Sequence, residues 1–109
     1  MGEVIGFDEG ETVWATSNTA KDDGGKLRLS LVPRGIVEAI ASIREYGCRK
    51  YKDPENWKKV DNSRYWDAAL RHMEAARNDM WATDEESGFP HIWHVACNLA
   101  FIIARPKGE

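Results

Sequence analysis

Two histidines and an asparagine lie at helical spacing in the last quarter of this chain, at His91, His94 and Asn98. Separations of three, four and seven residues place their side chains on one face of an α-helix. The remaining histidine, His72, lies on the preceding predicted helix. Imidazoles can bind a transition metal, transfer a proton or hydrogen-bond to a phosphate. The pattern therefore predicts a functional site on this face.

A carboxylate would complete a metal site at the histidines. Glu38 and Asp79 are the candidates that would join His91 and His94 as ligands, and we expect catalytic roles for Glu38 and all three histidines, His72 included. A bound ion would lower the pKa of a coordinated water and polarise a phosphoryl oxygen. Glu38 also has a purely structural interpretation, as a solvated residue of a surface helix.

Cationic side chains suggest a second interpretation of the same histidines, as a phosphate-binding cluster. Lys26, Lys50 and Arg71 could neutralise a triphosphate, and a bidentate guanidinium would fix its orientation. Lys26 closes a glycine-rich loop, residues 22–26, whose backbone could approach a phosphate closely. A structural role, in which His94 hydrogen-bonds within a helical bundle, stays open beside both interpretations.

One aromatic residue stands out as a candidate for binding a base. Trp57 lies in a predicted turn with Asn56, close to Lys50 and Tyr51. An aromatic ring beside a cation can hold a base and a phosphate together. We expect these four residues, together with Asn98, to contact a nucleotide.

Helical periodicity and end signals divide the chain into a polar lead and three helices. Residues 1–20 form the lead, which allows a hairpin around residues 8–10, and residues 21–109 are predicted to form one domain. The helices are expected from Pro33 to about Tyr51, from the cap at residues 61–63 to about Trp81, and from Pro90 to Ala104. This pattern predicts an all-α fold, a small bundle of three main helices.

Apolar residues at helical spacing give the expected core faces. They are Ile36, Val37, Ile40, Ile43 and Tyr46 on the first helix, Trp66, Ala69, Leu70, Met73 and Met80 on the second, and Ile92, Ala96, Leu99 and Ile103 on the third.

Composition excludes several classes of protein. The 109 residues carry 15 basic and 18 acidic side chains, a formal charge of −3, which disfavours bulk nucleic-acid binding. Cys48 and Cys97 are too few for a disulfide framework and are expected to be free thiols. The sequence contains neither an apolar run of membrane-spanning length nor a signal-like start. We expect a cytoplasmic protein, in the host cytoplasm if a phage encodes it.

Several short blocks, in order, resemble one family. The sequence resembles the phage-associated dATP/dGTP diphosphohydrolase N-terminal family over about residues 20–104. The blocks are Lys21-Asp22-Asp23-Gly24-Gly25-Lys26, Leu31-Val32-Pro33, Tyr46-Gly47-x-x-Lys50-Tyr51, Asn56-Trp57, Arg71-His72 and residues 87–98. The resemblance implies a fold related to the MazG-type nucleoside triphosphate pyrophosphohydrolases, which release a monophosphate and pyrophosphate and usually assemble as oligomers.

The chain departs from the MazG pattern at the metal ligands. MazG-type enzymes bind magnesium through Glu-x-x-Glu and Glu-x-x-Asp pairs, and this sequence contains neither, with His91-x-x-His94 where the second pair is expected. A divalent ion, whether Mg²⁺, Mn²⁺, Co²⁺ or Zn²⁺, is still the expected cofactor. We expect a pyrophosphohydrolase acting on purine ribo- or deoxynucleotides. The alternatives are a non-catalytic protein that sequesters a nucleotide and a helical oligomerisation module.

Overall fold

A computed structural model describes residues 24–106. Within this part of the chain there are three α-helices: α1 (Arg34–Tyr51), α2 (Asn62–Asn78) and α3 (His91–Ala104). Two short 3₁₀ segments, Leu29–Leu31 and Asn56–Lys59, precede α1 and α2. The all-α prediction is confirmed, whereas the lead at residues 1–20 and its hairpin lie outside the described residues.

The helix starts follow their sequence signals. Pro33 and Pro90 directly precede α1 and α3, and Asp61 precedes α2 with extended backbone. The end of α1 at Tyr51 is also as predicted, because Lys52 adopts a left-handed conformation and its N–H donates to the Cys48 carbonyl at 2.8 Å.

Helix α2 ends three residues before the predicted Trp81. Asp79 is extended, with φ of −150°, and its Oδ1 accepts a hydrogen bond from the Trp81 amide at 3.3 Å. An aspartate that binds backbone two residues ahead offers the chain a turn in place of another helical residue. The turn at Asp79 therefore stops the helix despite the apolar residues that follow it.

Helix α3 packs against both α1 and α2, and the core lies along it. The buried apolar residues of the described part are mostly small: Ala39, Ile43, Ala69, Ala76, Val95 and Cys97. Small side chains let helix backbones approach closely. None of the described helices combines the length and apolarity needed to cross a membrane.

The predicted core faces are partly wrong. Ile43 and Ala69 are buried, but Leu70 on α2 is 62% exposed and Ile103 on α3 is 80% exposed. Helix α3 directs His94 toward His72 and Tyr46, and Ile103, at the end of its predicted apolar stripe, faces outward. Several other predicted core residues are also exposed: Ile36, Val37, Trp66, Met73, Met80 and Leu99.

Candidate functional site

A cleft of about 570 Å³ opens among the three helices and the loop that joins α2 to α3. This volume lies within the range of small-molecule sites, roughly 300–1,000 Å³. Its walls combine cations, carboxylates and aromatic rings with two of the three histidines. The charged lining residues are Arg44, Lys50, Asp53, Arg64, Arg71, Asp84 and Glu86.

The three histidines meet at the junction of α2 and α3. The Nδ1 atoms of His72 and His91 are 2.8 Å apart, within hydrogen-bond distance. The ring of His94 stacks on His72, with centroids 4.5 Å apart and planes 13° apart. The structure therefore brings His91 and His94, which their spacing places on one face of α3, into contact with His72 of α2.

The loop between α2 and α3 holds a carboxylate against these rings. Backbone hydrogen bonds close the loop: the Asp84 amide donates to Phe89 O at 2.8 Å, and the Gly88 amide donates to Asp84 O at 2.7 Å. Gly88 has φ of +79°, a conformation that favours glycine. One carboxylate oxygen of Asp84 and one nitrogen each of His72 and His91 lie within 4.8 Å of one another.

Ser87 connects the Asp84 carboxylate to His94. Its amide donates to Asp84 Oδ2 at 2.9 Å, and its Oγ lies 2.6 Å from His94 Nε2. The Phe89 amide donates to the same Oγ at 3.2 Å, while Asn98 donates through Nδ2 to the His94 carbonyl at 2.9 Å. These bonds fix the loop on the first turns of α3 and set the position of the carboxylate.

Burial favours the neutral form of two of the imidazoles, those of His72 and His94. It lowers the pKa of His72 to about 4, with the neighbouring His94 and His91 acting in the same direction. Burial also lowers the pKa of His94. For Asp84, burial acts to raise the pKa, but the hydrogen bonds from Ser87 and the nearby imidazoles outweigh it, and the pKa is held below its usual value. Neutral imidazoles beside an ionised carboxylate are the protonation states that bind cations.

Lys50 lies on the α1 side of the cleft in an ion pair with Glu86. Its Nζ donates to Glu86 Oε2 at 2.5 Å and lies 5.2 Å from the centre of the Tyr51 ring. Hydrogen bonds from Lys50 and Tyr46 hold the pKa of Glu86 below its usual value. The Tyr46 ring meets His94 edge-on, with ring centroids 6.3 Å apart. Tyr46 therefore connects the Lys50–Glu86 ion pair to the histidine cluster.

Two arginines on α2 supply positive charge to the cleft. Arg64 and Arg71 are seven residues apart, so they share a face of the helix, and both line the cleft. The salt bridges of the described residues include neither side chain. Their guanidinium groups are therefore available to an anionic ligand, unlike Lys50.

Trp57 belongs to an aromatic stack at the other end of the cleft. Its ring stacks on Phe101 with centroids 5.2 Å apart, and Tyr65 packs on the same phenylalanine at 4.8 Å. The Tyr65 hydroxyl donates to the Trp57 carbonyl at 2.9 Å, and the Arg105 guanidinium lies 5.8 Å from the Trp57 ring centre. Trp57 thus supports the packing of α3 as well as lining the cleft.

Most of the predicted site residues lie together. Those that line the cleft are Lys50, Tyr51, Asn56, Trp57, Arg71, His72, His94 and Asn98, and His91 completes the histidine cluster. Their roles stay predictions.

Three predicted residues are not brought to this site. The Glu38 carboxylate pairs with Arg34 at 3.1 Å on the exposed side of α1, and Asp79 is used in the turn that ends α2. Lys26 is exposed and does not line the cleft. As placed, Glu38 and Asp79 are not part of the ligand group, and the carboxylate beside the histidines belongs to Asp84.

The sequence interpretation missed several residues of the site. Asp84 is not among the predicted ligands, and nothing in its spacing shows that the loop folds back onto α3. Arg64 had a usable signal, because it lies seven residues before Arg71 on the same helix. Tyr46 was assigned to the core, although its position four residues before Lys50 places the two on one face.

Comparison with known proteins agrees with the resemblance seen in the sequence. The family described as "dATP/dGTP diphosphohydrolase, N-terminal" matches residues 16–107. A protein of Salmonella phage PMBT28 named dATP/dGTP diphosphohydrolase is 35% identical over 83 residues, which cover 75% of this chain and 28% of that protein. No solved structure matches the chain. Because the family match covers most of the residues, including all three described helices and the whole histidine cluster, the chain belongs to the dATP/dGTP diphosphohydrolase N-terminal family.

Proposed function

We propose that this chain is a nucleoside triphosphate pyrophosphohydrolase that cleaves purine ribo- or deoxynucleotides to a monophosphate and pyrophosphate. The observation that carries the proposal is the cleft in which an imidazole–carboxylate cluster lies beside two arginines outside the salt bridges of the described residues. The name of the phage relative supports a dATP or dGTP substrate, although the chain spans little more than a quarter of that protein.

The α2 wall would bind the phosphates. Arg64 and Arg71 are spaced along the helix so that they can contact successive phosphate groups, and a guanidinium can donate two parallel hydrogen bonds to one of them. Lys50 would neutralise a further oxygen once a ligand competes with Glu86 for its ammonium group. The base would lie toward Tyr51 and Trp57, where an aromatic ring can stack on it.

The histidine end of the cleft would carry the chemistry. Water attacks phosphorus, the bridging bond between the α and β phosphates breaks, and the proton of the water passes to His94, which lines the cleft. A divalent cation bound here supplies charge neutralisation and a more acidic water. The arginines stabilise the charge that collects on the departing pyrophosphate.

A second candidate is a nucleotide-binding protein without catalysis. The absence of the Glu-x-x-Glu and Glu-x-x-Asp pairs favours it, because a cleft can retain its cations and aromatic rings after losing a magnesium centre. The third interpretation, an oligomerisation module, predicts no nucleotide affinity. We also expect a homo-oligomer in the cytoplasm, since the outward apolar residues of α2 and α3 suit burial in a subunit contact.

Turnover of metal-stripped protein tests the proposal. The substrates are dATP, dGTP and the ribonucleotides, with Mg²⁺, Mn²⁺, Co²⁺ or Zn²⁺ restored singly and the products resolved by chromatography. Arg71→Ala should lower kcat/KM roughly 10- to 150-fold, the loss of one charged hydrogen-bonding group. Arg77→Ala is the matched control, because Arg77 lies on the same helix and pairs with Glu74 on the surface. Saturable binding without products would instead establish the second candidate.

A further inference from the structure

The carboxylate beside the histidines defines a candidate metal site that differs from the magnesium centre implied by the MazG resemblance. His72, Asp84 and His91 come from a helix, a loop and the next helix, yet their ligand atoms all lie within 4.8 Å of one another. All three residues are half-buried, which limits competition from bulk water. Such a group can surround one ion without a rearrangement of the backbone.

The geometry of the two imidazoles suits a small ion. Two nitrogen ligands at about 2.0–2.1 Å from a tetrahedral ion lie roughly 3.3 Å apart. The Nδ1 atoms of His72 and His91 are 2.8 Å apart, so a separation of a few tenths of an ångström more would allow both to bind the same ion. Small rotations of the two side chains are sufficient for that change.

The donor set does not fit magnesium. Mg²⁺ prefers six oxygen ligands in octahedral geometry, whereas two imidazoles and one carboxylate suit Zn²⁺, Co²⁺, Mn²⁺, Fe²⁺ or Ni²⁺. Glu86, another carboxylate of the loop, is paired with Lys50 at 2.5 Å and is not part of the ligand group. The oxygen-rich site that magnesium requires is therefore not available at the histidines.

We propose that His72, Asp84 and His91 form a transition-metal centre at the end of the cleft, and that the neighbouring His94 helps to orient its ligands. This inference rests on the proposed function, and it names the class of metal ion that would bind at the same site. His94 holds Asp84 through Ser87 and stacks on His72, so it orients two of the ligands. His72 and Asp84 both line the cleft, so the remaining coordination positions would face a bound phosphate.

Cobalt binding to nucleotide-free protein tests the centre. Co²⁺ is titrated into the metal-stripped chain and followed by its visible absorption, and Zn²⁺ or Mg²⁺ is then added as competitor. We expect one Co²⁺ per chain, displaced by equimolar Zn²⁺ and retained in a large excess of Mg²⁺. Asp84→Asn and His91→Ala should each weaken Co²⁺ binding by more than tenfold. Glu85→Gln, which changes an exposed carboxylate next to Asp84, should leave it unchanged.

The outcomes separate this inference from the proposed function. Displacement of Co²⁺ by Mg²⁺, equal losses in Asp84→Asn and Glu85→Gln, or no binding would overturn the metal centre. Circular dichroism of each variant shows whether a loss reflects unfolding, and Zn²⁺ retention by the unaltered chain does not depend on any variant. Tight Co²⁺ binding without nucleotide cleavage would uphold the centre and refute the enzyme. Cleavage supported by Mg²⁺ in protein that fails to bind Co²⁺ would uphold the enzyme and refute the transition-metal centre.

Discussion

Replacing Ser87 with alanine removes the hydroxyl that connects the Asp84 loop to His94. The hydroxyl makes two contacts, with His94 Nε2 at 2.6 Å and with the Phe89 amide at 3.2 Å. Each hydrogen bond contributes about 0.5–1.5 kcal/mol net, and a shielded polar atom left without a partner costs about 1–3 kcal/mol. The His94 side chain is only 11% exposed, so water replaces the lost hydroxyl poorly. We expect Ser87→Ala to lower the free energy of unfolding by about 1–3 kcal/mol.

Urea unfolding followed by tryptophan fluorescence measures this loss. Ser63→Ala is the matched control, because the Ser63 hydroxyl also makes a side-chain hydrogen bond, to the Asp61 carboxylate at 2.8 Å, but lies on the exposed surface. We expect the control to change the free energy of unfolding by less than about 1 kcal/mol. Equal effects of the two substitutions would refute the reasoning, because they would show that the Ser87 contacts contribute no more than a surface hydrogen bond.

Three further predictions concern the loop, a thiol and the aromatic stack. Gly88→Ala should lower the unfolding free energy by about 1–2 kcal/mol, because φ of +79° disfavours an L side chain; an unchanged midpoint in thermal unfolding would contradict this. Burial raises the pKa of Cys97 to about 11, so at pH 8 a thiol reagent should label Cys48 first, and equal labelling rates would show that α3 opens readily. Trp57→Ala should weaken nucleotide binding by roughly 1–3 kcal/mol in a fluorescence or calorimetric titration. Trp66→Ala, an exposed tryptophan outside the cleft, should not, and equal losses would place the base elsewhere.

Local signals predicted where the helices begin, because caps and prolines act within a few residues of the end that they set. Pro33, Asp61 and Pro90 each precede a helix as expected. The end of α2 was harder to predict, since the turn at Asp79 competes with apolar residues that also fit a helix. Boundaries fixed by such a competition depend on small energy differences, which spacing alone does not reveal.

The orientation of α3 could not be predicted from periodicity. The helix is apolar on nearly every side, so the stripe containing Ile103 and the face containing Val95 are equally plausible core positions. Only the packing against α1 and α2 decides between them, and it buries Val95 and Cys97 while leaving Ile103 exposed. The spacing did place His91 and His94 on one face, and in the structure both contact His72.

The histidines were predictable, and the carboxylate that accompanies them was not. Glu38 and Asp79 were chosen from helix spacing, whereas Asp84 reaches the cluster through the hydrogen bonds that close its loop. The sequence shows Gly88 and a run of acidic residues, which indicates a turn, but the direction in which a turn points its carboxylate depends on contacts formed after folding.

The histidine cluster comes from one contiguous stretch of chain, residues 72–94, whereas Lys50 and Tyr46 of the cleft come from α1. Contacts of short sequence separation form quickly, because little loop-closure entropy opposes them. The helical hairpin of α2 and α3 can therefore assemble the histidines and Asp84 before α1 docks. We therefore expect the histidine end of the cleft to form before its α1 wall, so that substitutions in α1 change what the cleft binds more than they change the cluster.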